Sequence, residues 1–136
     1  MLIPASLKAA KGIFTSMTEK RILRGEIWLI NFDPTVGAEI QKIRPGLIIS
    51  SDSIGILPIR LVAPITSWKA DFKNNIWHVL ICPDKGNGLQ KDSAIDIIQI
   101  RSMDVKRFIK RLGKVPDSVL SEVGDGLLNV IDYRLE

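Results

Sequence analysis

Five short apolar runs follow one another at close spacing: Ile27 to Phe32, Leu47 to Ser50, Leu61 to Ile65, Ile76 to Ile81 and Ala94 to Ile100. Parallel pairing between such runs would need long helical crossovers, so they are expected to pair antiparallel in one curled sheet. The first run is rich in β-formers and bounded by Gly25 and Asp33-Pro34, whose turn chemistry closes it. Ser51-Asp52-Ser53 with Gly55 separates the second run from the third, and Asp84-Lys85-Gly86-Asn87-Gly88 is a strong turn, because Gly and Asn tolerate positive φ. Closure as a small barrel is the economical solution. Ser102 to Phe108 suits a short helical turn, and Phe108 to Val115 adds one more strand.

From Pro116 the period changes. Val119, Leu120, Val123, Leu127, Val130 and Ile131 recur at helical spacing and give one apolar stripe that can lie on the sheet. Gly124 and Gly126 each cost roughly 1 kcal/mol of helix propensity relative to alanine. The stripe outweighs them.

A chain of 136 residues with 46% hydrophobic content is one domain with enough apolar side chain for a single core. Its net charge of +4 is weak support for a polyanionic partner. Cys82, the one cysteine, has no internal disulfide partner and follows an apolar run, where a buried thiol is expected. No apolar run approaches the roughly 20 residues needed to span a bilayer. The first 16 residues lack the basic start and continuous apolar centre of a secretory signal, although Lys8 and Lys11 with Leu7, Ile13 and Phe14 make a weak amphipathic turn. The expectation is a cytoplasmic protein in which residues 1–21 are a flexible N-terminal extension and residues 22–136 the folded domain.

Few residues offer chemistry. One Cys and one His give no metal-ligand spacing, and no phosphate-binding glycine loop is present. His78 sits inside a predicted strand between Trp77 and Val79, where a packed histidine is the commoner case. Arg44 precedes Pro45, which biases its backbone to an extended form and gives its guanidinium a defined direction. Paired donors with a permanent charge suit it to a phosphorane-like transition state, and a structural salt bridge to Glu39 or Asp33 is the alternative. Thr66 ends a strand, where a hydroxyl ordinarily bonds nearby backbone. Glu39 is either a loop-stabilising carboxylate or a general base, and its setting leans to the former. Trp28, Trp68 and Trp77 invite base stacking, but aromatics on small sheets are more often core, and only Trp68 lies where a loop is expected.

Arg24-Gly25-Glu26-Ile27-Trp28, Asp33-Pro34-Thr35, Gly37-Ala38-Glu39 and Arg44-Pro45 stand in one order. They resemble the R-G-E/D-I-W/Y, D-P-T, G-S/A-E and R-P blocks that open the MazF/PemK toxins of bacterial toxin–antitoxin pairs. Val62-Ala63-Pro64-Ile65-Thr66-Ser67 and Gln99-Ile100-Arg101-Ser102-Met103-Asp104 resemble that family's A-P-I/M-T-S and Q-I-R-T-I-D signatures. The resemblance runs from about Arg24 to Tyr133. It implies a mainly β fold with α: an SH3-like β-barrel of the CcdB/PemK type with a C-terminal helix, acting as a homodimer.

The implied activity is cleavage of single-stranded RNA without metal or other cofactor. The ribose 2′-hydroxyl attacks the adjacent phosphate, leaving a 2′,3′-cyclic phosphate and a free 5′-hydroxyl, and a cognate antitoxin neutralises the toxin. In the MazF branch the essential arginine matches Arg44, the essential threonine matches Thr66, and the acidic loop residue matches Glu39. The resemblance also places Gly37, Ala38, Gln41 and Lys42 of the loop along the RNA path, with Ser67, Trp68 and Gln99. PemK-type histidine and Arg-x-Asp residues are absent, since Ala38, Asp96 and Ile98 stand at those positions, and Ile40-Gln41-Lys42 replaces the MazF loop Q-G-G. A CcdB-like, non-catalytic inhibitor of gyrase is the alternative function, and an inactive nucleic-acid-binding barrel is a third.

Overall fold

The computed structural model describes residues 21–134. Among the described residues the elements are seven strands and one α-helix: β1 (Glu26–Asn31), β2 (Ile43–Ile48), β3 (Ile59–Ser67), β4 (His78–Ile81), β5 (Ser93–Asp96), β6 (Arg101–Asp104), β7 (Phe108–Lys114) and α1 (Asp117–Val130). All pairings are antiparallel, in the order β4-β5-β3-β2-β1-β7, with β6 also on β3. β3 organises the sheet, because one of its edges carries β2 while the other carries β6 along Ile59 to Val62 and β5 along Ile65 to Ser67.

Both faces of the central strands are buried. Ile27, Leu47, Ala63 and Ile65 point into one cluster, which the helix covers through Leu120 and Val123. Trp28, Ile30, Ile48 and Val62 point into a second, completed by Ile22, Phe32, Met103, Val105 and Phe108. Alternate residues of a strand face opposite ways, so two-sided burial requires apolar residues at consecutive positions. That is why these runs read as continuous apolar stretches. Complete burial of each such side chain is worth roughly 1.5–3 kcal/mol. Trp28 meets Phe108 edge-on at 5.9 Å, and its indole nitrogen donates to Glu26. Glu26 also accepts from Arg111 at 2.7 Å, so the buried carboxylate of the Arg24-Gly25-Glu26 block is paired on both oxygens.

The sheet curls like a barrel without closing by hydrogen bonds: β4 and β7 end the path and do not pair with each other. The turn 84–88 and the helix occupy the gap. Lys114 N donates to Gly86 O at 2.9 Å, and α1 lies against β4. Gly126 allows that approach, because a Cβ there would overlap Ile97 Cδ1. Its low helix propensity therefore has a packing reason.

Three local expectations change. The run Ala94 to Ile100 is a strand only to Asp96, whose Oδ1 accepts from Ile98 N at 3.1 Å and turns the chain out of the ladder. Ser102 to Phe108 is not one helical turn. Its first part is β6, held on β3, and Asp104 then caps a short 3-10 turn over Val105–Arg107 by accepting from Lys106 N at 2.8 Å. Cys82 is exposed rather than buried, because Val79 and Ile81 take the inward positions of β4 and leave Leu80 and Cys82 facing out. The amphipathic turn expected within residues 1–16 and nearly all of the extension 1–21 lie outside the described residues.

Candidate functional site

β2 begins with Ile43-Arg44-Pro45 and β3 ends with Ile65-Thr66-Ser67, and both ends open on one cleft of about 450 Å³. Its apolar floor is Leu29, Pro45, Ile65 and Leu112. One wall is the segment Gly88 to Lys91 with Ser93, and the other carries Lys110 of β7. Arg44, Thr66 and Ser67 stand at the strand ends. Among the described residues, no Asp or Glu lines this cleft, whereas Arg44, Lys91 and Lys110 do. Such a concavity with cations and no acids favours an anion.

Arg44 is half-buried, and its Nε donates to Gln41 O at 3.1 Å. Among the described residues it makes no ion pair. Both carboxylates considered as its salt-bridge partners are engaged elsewhere: Asp33 Oδ1 accepts from Lys42 N at 3.0 Å, and Glu39 Oε1 accepts from Val36 N. The guanidinium is anchored through one nitrogen, which leaves its terminal amines for a ligand. Thr66 sits opposite Ala94, and Ser67 opposite Ser93, so β5 fixes the strand end from behind.

Glu39 is not brought to this cleft. It lines a second groove of about 520 Å³ with Ala38, Ile40, Pro64, Ile98, Gln99, Ile100 and Arg101. Pro64 and Thr66 are two residues apart on β3, so their side chains share a face about 7 Å apart and join the two concavities. Gln99 spends its amide on the loop: Ile40 N donates to its Oε1 at 2.5 Å, and its Nε2 donates to Ala38 O at 3.3 Å. The loop neck is closed by Phe32 N donating to Lys42 O at 2.9 Å, and Arg107 donates to the Asn31 and Asp33 carbonyls. Gly37 and Lys42 both have positive φ, 58° and 70°. Lys42, which the resemblance sets against the last glycine of the Q-G-G loop, holds a conformation where glycine carries no steric cost. Gly37, Ala38, Gln41 and Lys42 are all exposed on this tethered loop.

The aromatic residues divide. Trp28 is core, and Trp77 packs against the helix-covered cluster. Trp68 is half-buried and meets Phe72 edge-on at 5.8 Å.

His78 belongs to neither cleft. Its ring stacks on Phe72 at 3.8 Å, Nδ1 lies 3.1 Å from Asn75 Nδ2, and Nε2 lies 3.7 Å from Asp96 Oδ2. The Asn75 amide donates, so Nδ1 accepts and the Nε2 proton faces Asp96. Burial pushes the Asp96 carboxyl above its ordinary value, partly offset by His78 and by the Gln99 and Ile98 backbone. The pair is a packed brace between β4 and β5, where His78 and Asp96 are register partners.

Sequence reasoning missed Lys91, Lys110 and the Gly88–Gln90 wall. The Gly86-Asn87-Gly88 turn was visible, but its packing on β7 was not. Among the described residues, no group of three or more His, Cys, Asp or Glu is placed to hold a metal ion, and no helix is long and apolar enough to cross a membrane.

The sequence profile described as the PemK-like, MazF-like toxin of type II toxin-antitoxin systems matches residues 23–131. The chain is 33% identical over 110 residues to endoribonuclease MazF9 of Mycobacterium tuberculosis, covering 76% of this chain and 91% of that protein. It is 34% identical over 102 residues to endoribonuclease PemK of Escherichia coli, with 74% of each covered. The fold superposes on the crystal structure of MazF from Deinococcus radiodurans with a TM-score of 0.69 at 24% identity, covering 83% of this chain and 98% of the other. A MazE-MazF crystal structure from that organism matches with a TM-score of 0.62 at 26% identity, over 83% and 98% of the two chains.

Proposed function

The chain belongs to the PemK-like, MazF-like toxins of type II toxin–antitoxin systems, and from that premise we propose that it is an endoribonuclease acting on single-stranded mRNA at the Arg44–Thr66 cleft. The observation that carries this reading is the convergence of Arg44 and Thr66 on one cleft whose lining, among the described residues, holds three cations and no carboxylate. The ribose 2′-oxygen bonds to the adjacent phosphorus while its proton passes to a base. The bond from phosphorus to the 5′-oxygen breaks, and that oxygen takes up a proton. A 2′,3′-cyclic phosphate and a 5′-hydroxyl result, with no metal or other cofactor.

In this scheme Arg44 supplies charge-assisted donors to the phosphoryl oxygens as negative charge builds, and Thr66 fixes the same phosphate from the neighbouring strand. An arginine does not readily surrender a proton, so the base is a separate group or water. Glu39 is placed in the adjoining groove and engaged with Val36 N, which supports a loop-holding role over a catalytic one. The exposed loop residues Gly37, Ala38, Gln41 and Lys42, with Ser67 and Trp68, are the proposed RNA contacts; of these, Ala38 lines the groove and Ser67 the cleft. Gln99 is the least suited of the predicted contacts, because its amide already holds the loop.

The proposed assembly is a cytoplasmic homodimer, neutralised by a cognate antitoxin that covers the cleft. The curated relatives are named endoribonucleases, so gyrase inhibition of the CcdB kind has no support among them. Incubating the purified protein with mixed RNA in chelator and mapping the new 5′ ends tests the reading. Discrete cuts with 5′-hydroxyl ends are expected, and intact RNA, or cutting that returns only with added metal, would overturn it.

A further inference from the structure

We infer that Lys91 and Lys110 form a second phosphate-binding subsite beside Arg44, so that the cleft holds at least two consecutive backbone phosphates of a single strand; this rests on the ribonuclease reading above. Both lysines are exposed, both line the Arg44 cleft, and among the described residues neither is ion-paired. Among the described residues, nothing acidic in the lining neutralises them.

Their backbones are held in place. Lys110 pairs with Leu29 across β1 and β7, and Leu29 pairs with Pro45, the neighbour of Arg44. Lys110 therefore stands two strand spacings, about 10 Å, from the β2 strand that carries Arg44. Lys110 shares the face of Leu29 and Pro45, and Arg44 points to the other side of β2, so the two cations line the cleft from different sides of that strand. On the facing wall, Ser93 Oγ donates to Lys91 O at 2.9 Å, and Ser93 is the register partner of Ser67. The two lysines thus bracket the cleft from opposite sides, above a floor of Leu29, Ile65 and Leu112. An apolar floor accepts base or ribose faces while the cationic walls accept the backbone.

Ammonium contacts to a phosphate are point charges that carry no base information. They bind ground state and transition state alike, which appears in KM and not in kcat. The test uses Lys91→Gln, Lys110→Gln and the double variant of the full chain, each checked for an unchanged melting temperature. The first probe is a single-stranded DNA oligonucleotide, which presents the phosphates but has no 2′-hydroxyl to react. Each substitution is expected to weaken its binding by roughly two- to fivefold, and to flatten the slope of log affinity against log salt by about 0.7. On RNA, KM should rise by a similar factor while kcat stays within about twofold, equally for unrelated sequences.

Unchanged affinity and salt slope in the folded double variant would overturn the subsite, even if the unmodified protein cuts RNA. A loss confined to kcat would also overturn it, because the lysines would then act on the chemical step. Lysine-dependent DNA binding by a protein that cuts no RNA would uphold the subsite and overturn the ribonuclease reading instead. Binding to neither probe would overturn both.

Discussion

Arg44 and Thr66 each lie two residues beyond the pair Gly46↔Pro64, on opposite strands of the β2–β3 ladder, and so stand opposite one another at its open end. Antiparallel register makes this relationship fixed, since the residue numbers of facing partners keep a constant sum. Side chains in that relationship share one side of the sheet. Two residues remote in sequence are thereby brought to neighbouring strand ends on one cleft.

Arg44→Ala and Thr66→Ala should each suppress RNA cleavage by about a hundredfold to a thousandfold, the usual cost of removing a donor aimed at developing charge. Arg44→Lys should restore little, because an ammonium keeps the charge but loses the planar paired donors. Single-turnover rates on a mapped RNA site would check this, and a fully active Arg44→Ala protein would remove Arg44 from the mechanism.

Glu39→Gln should cleave RNA at close to the normal rate with the same pH profile. The amide oxygen still accepts from Val36 N, as the Glu39 carboxylate does. A drop of about a hundredfold, together with loss of the acidic limb of the pH–rate profile, would instead identify Glu39 as the general base.

The His78–Asp96 brace should register in stability rather than in catalysis. Because burial holds the Asp96 carboxyl above its ordinary value of 3.8, the folded state retains a proton that the unfolded chain releases. The stability contribution of this group is therefore complete below 3.8 and is lost as pH rises through the higher folded pKa. Asp96→Asn cannot titrate, so the stability of the unmodified protein relative to this variant should decline as pH rises across that window. Urea midpoints measured from about pH 3.5 to about pH 7 would show it, and parallel curves would contradict it. His78→Ala should retain most RNA cleavage.

Gly88→Ala should cost at least about 2 kcal/mol and lower the melting temperature by on the order of 10 °C. Gly88 has φ of 72°, and a Cβ there would overlap the Leu112 carbonyl. Gly88, Leu89 and Leu112 all line the Arg44 cleft, so the wall would shift with the backbone. An unchanged melting temperature would show that the turn relaxes freely away from β7. The comparison variant is Gly124→Ala, where the added Cβ meets nothing within 4 Å and the melting temperature should not fall.

Local pattern was enough to locate most of the elements. β1, β3 and β7 follow from runs of β-formers between turn residues, and α1 follows from the 3.6-residue stripe through Leu120 and Val123. Those signals are legible because they depend on neighbours within one or two turns of chain. Arg44 and Thr66 were singled out for a different reason, namely the order of short blocks that resemble those of the family. β6 was not, because Arg101-Ser102-Met103-Asp104 has only Met103 to bury and becomes a strand through its hydrogen bonds to β3. Likewise, whether Cys82 faced in or out depended on the parity of β4, which its pairing with β5 sets, and a slip of one residue would have reversed it. The separation of Glu39 from the Arg44 cleft, the arrival of Lys110 beside it, and the meeting of His78 with Asp96 also depend on register between distant strands. Sequence by itself determined which segments are strand or helix and which side chains are chemically able. Only the tertiary structure decided which of them share a cleft, because that is fixed by long-range pairing and two-sided burial that no local window of residues contains.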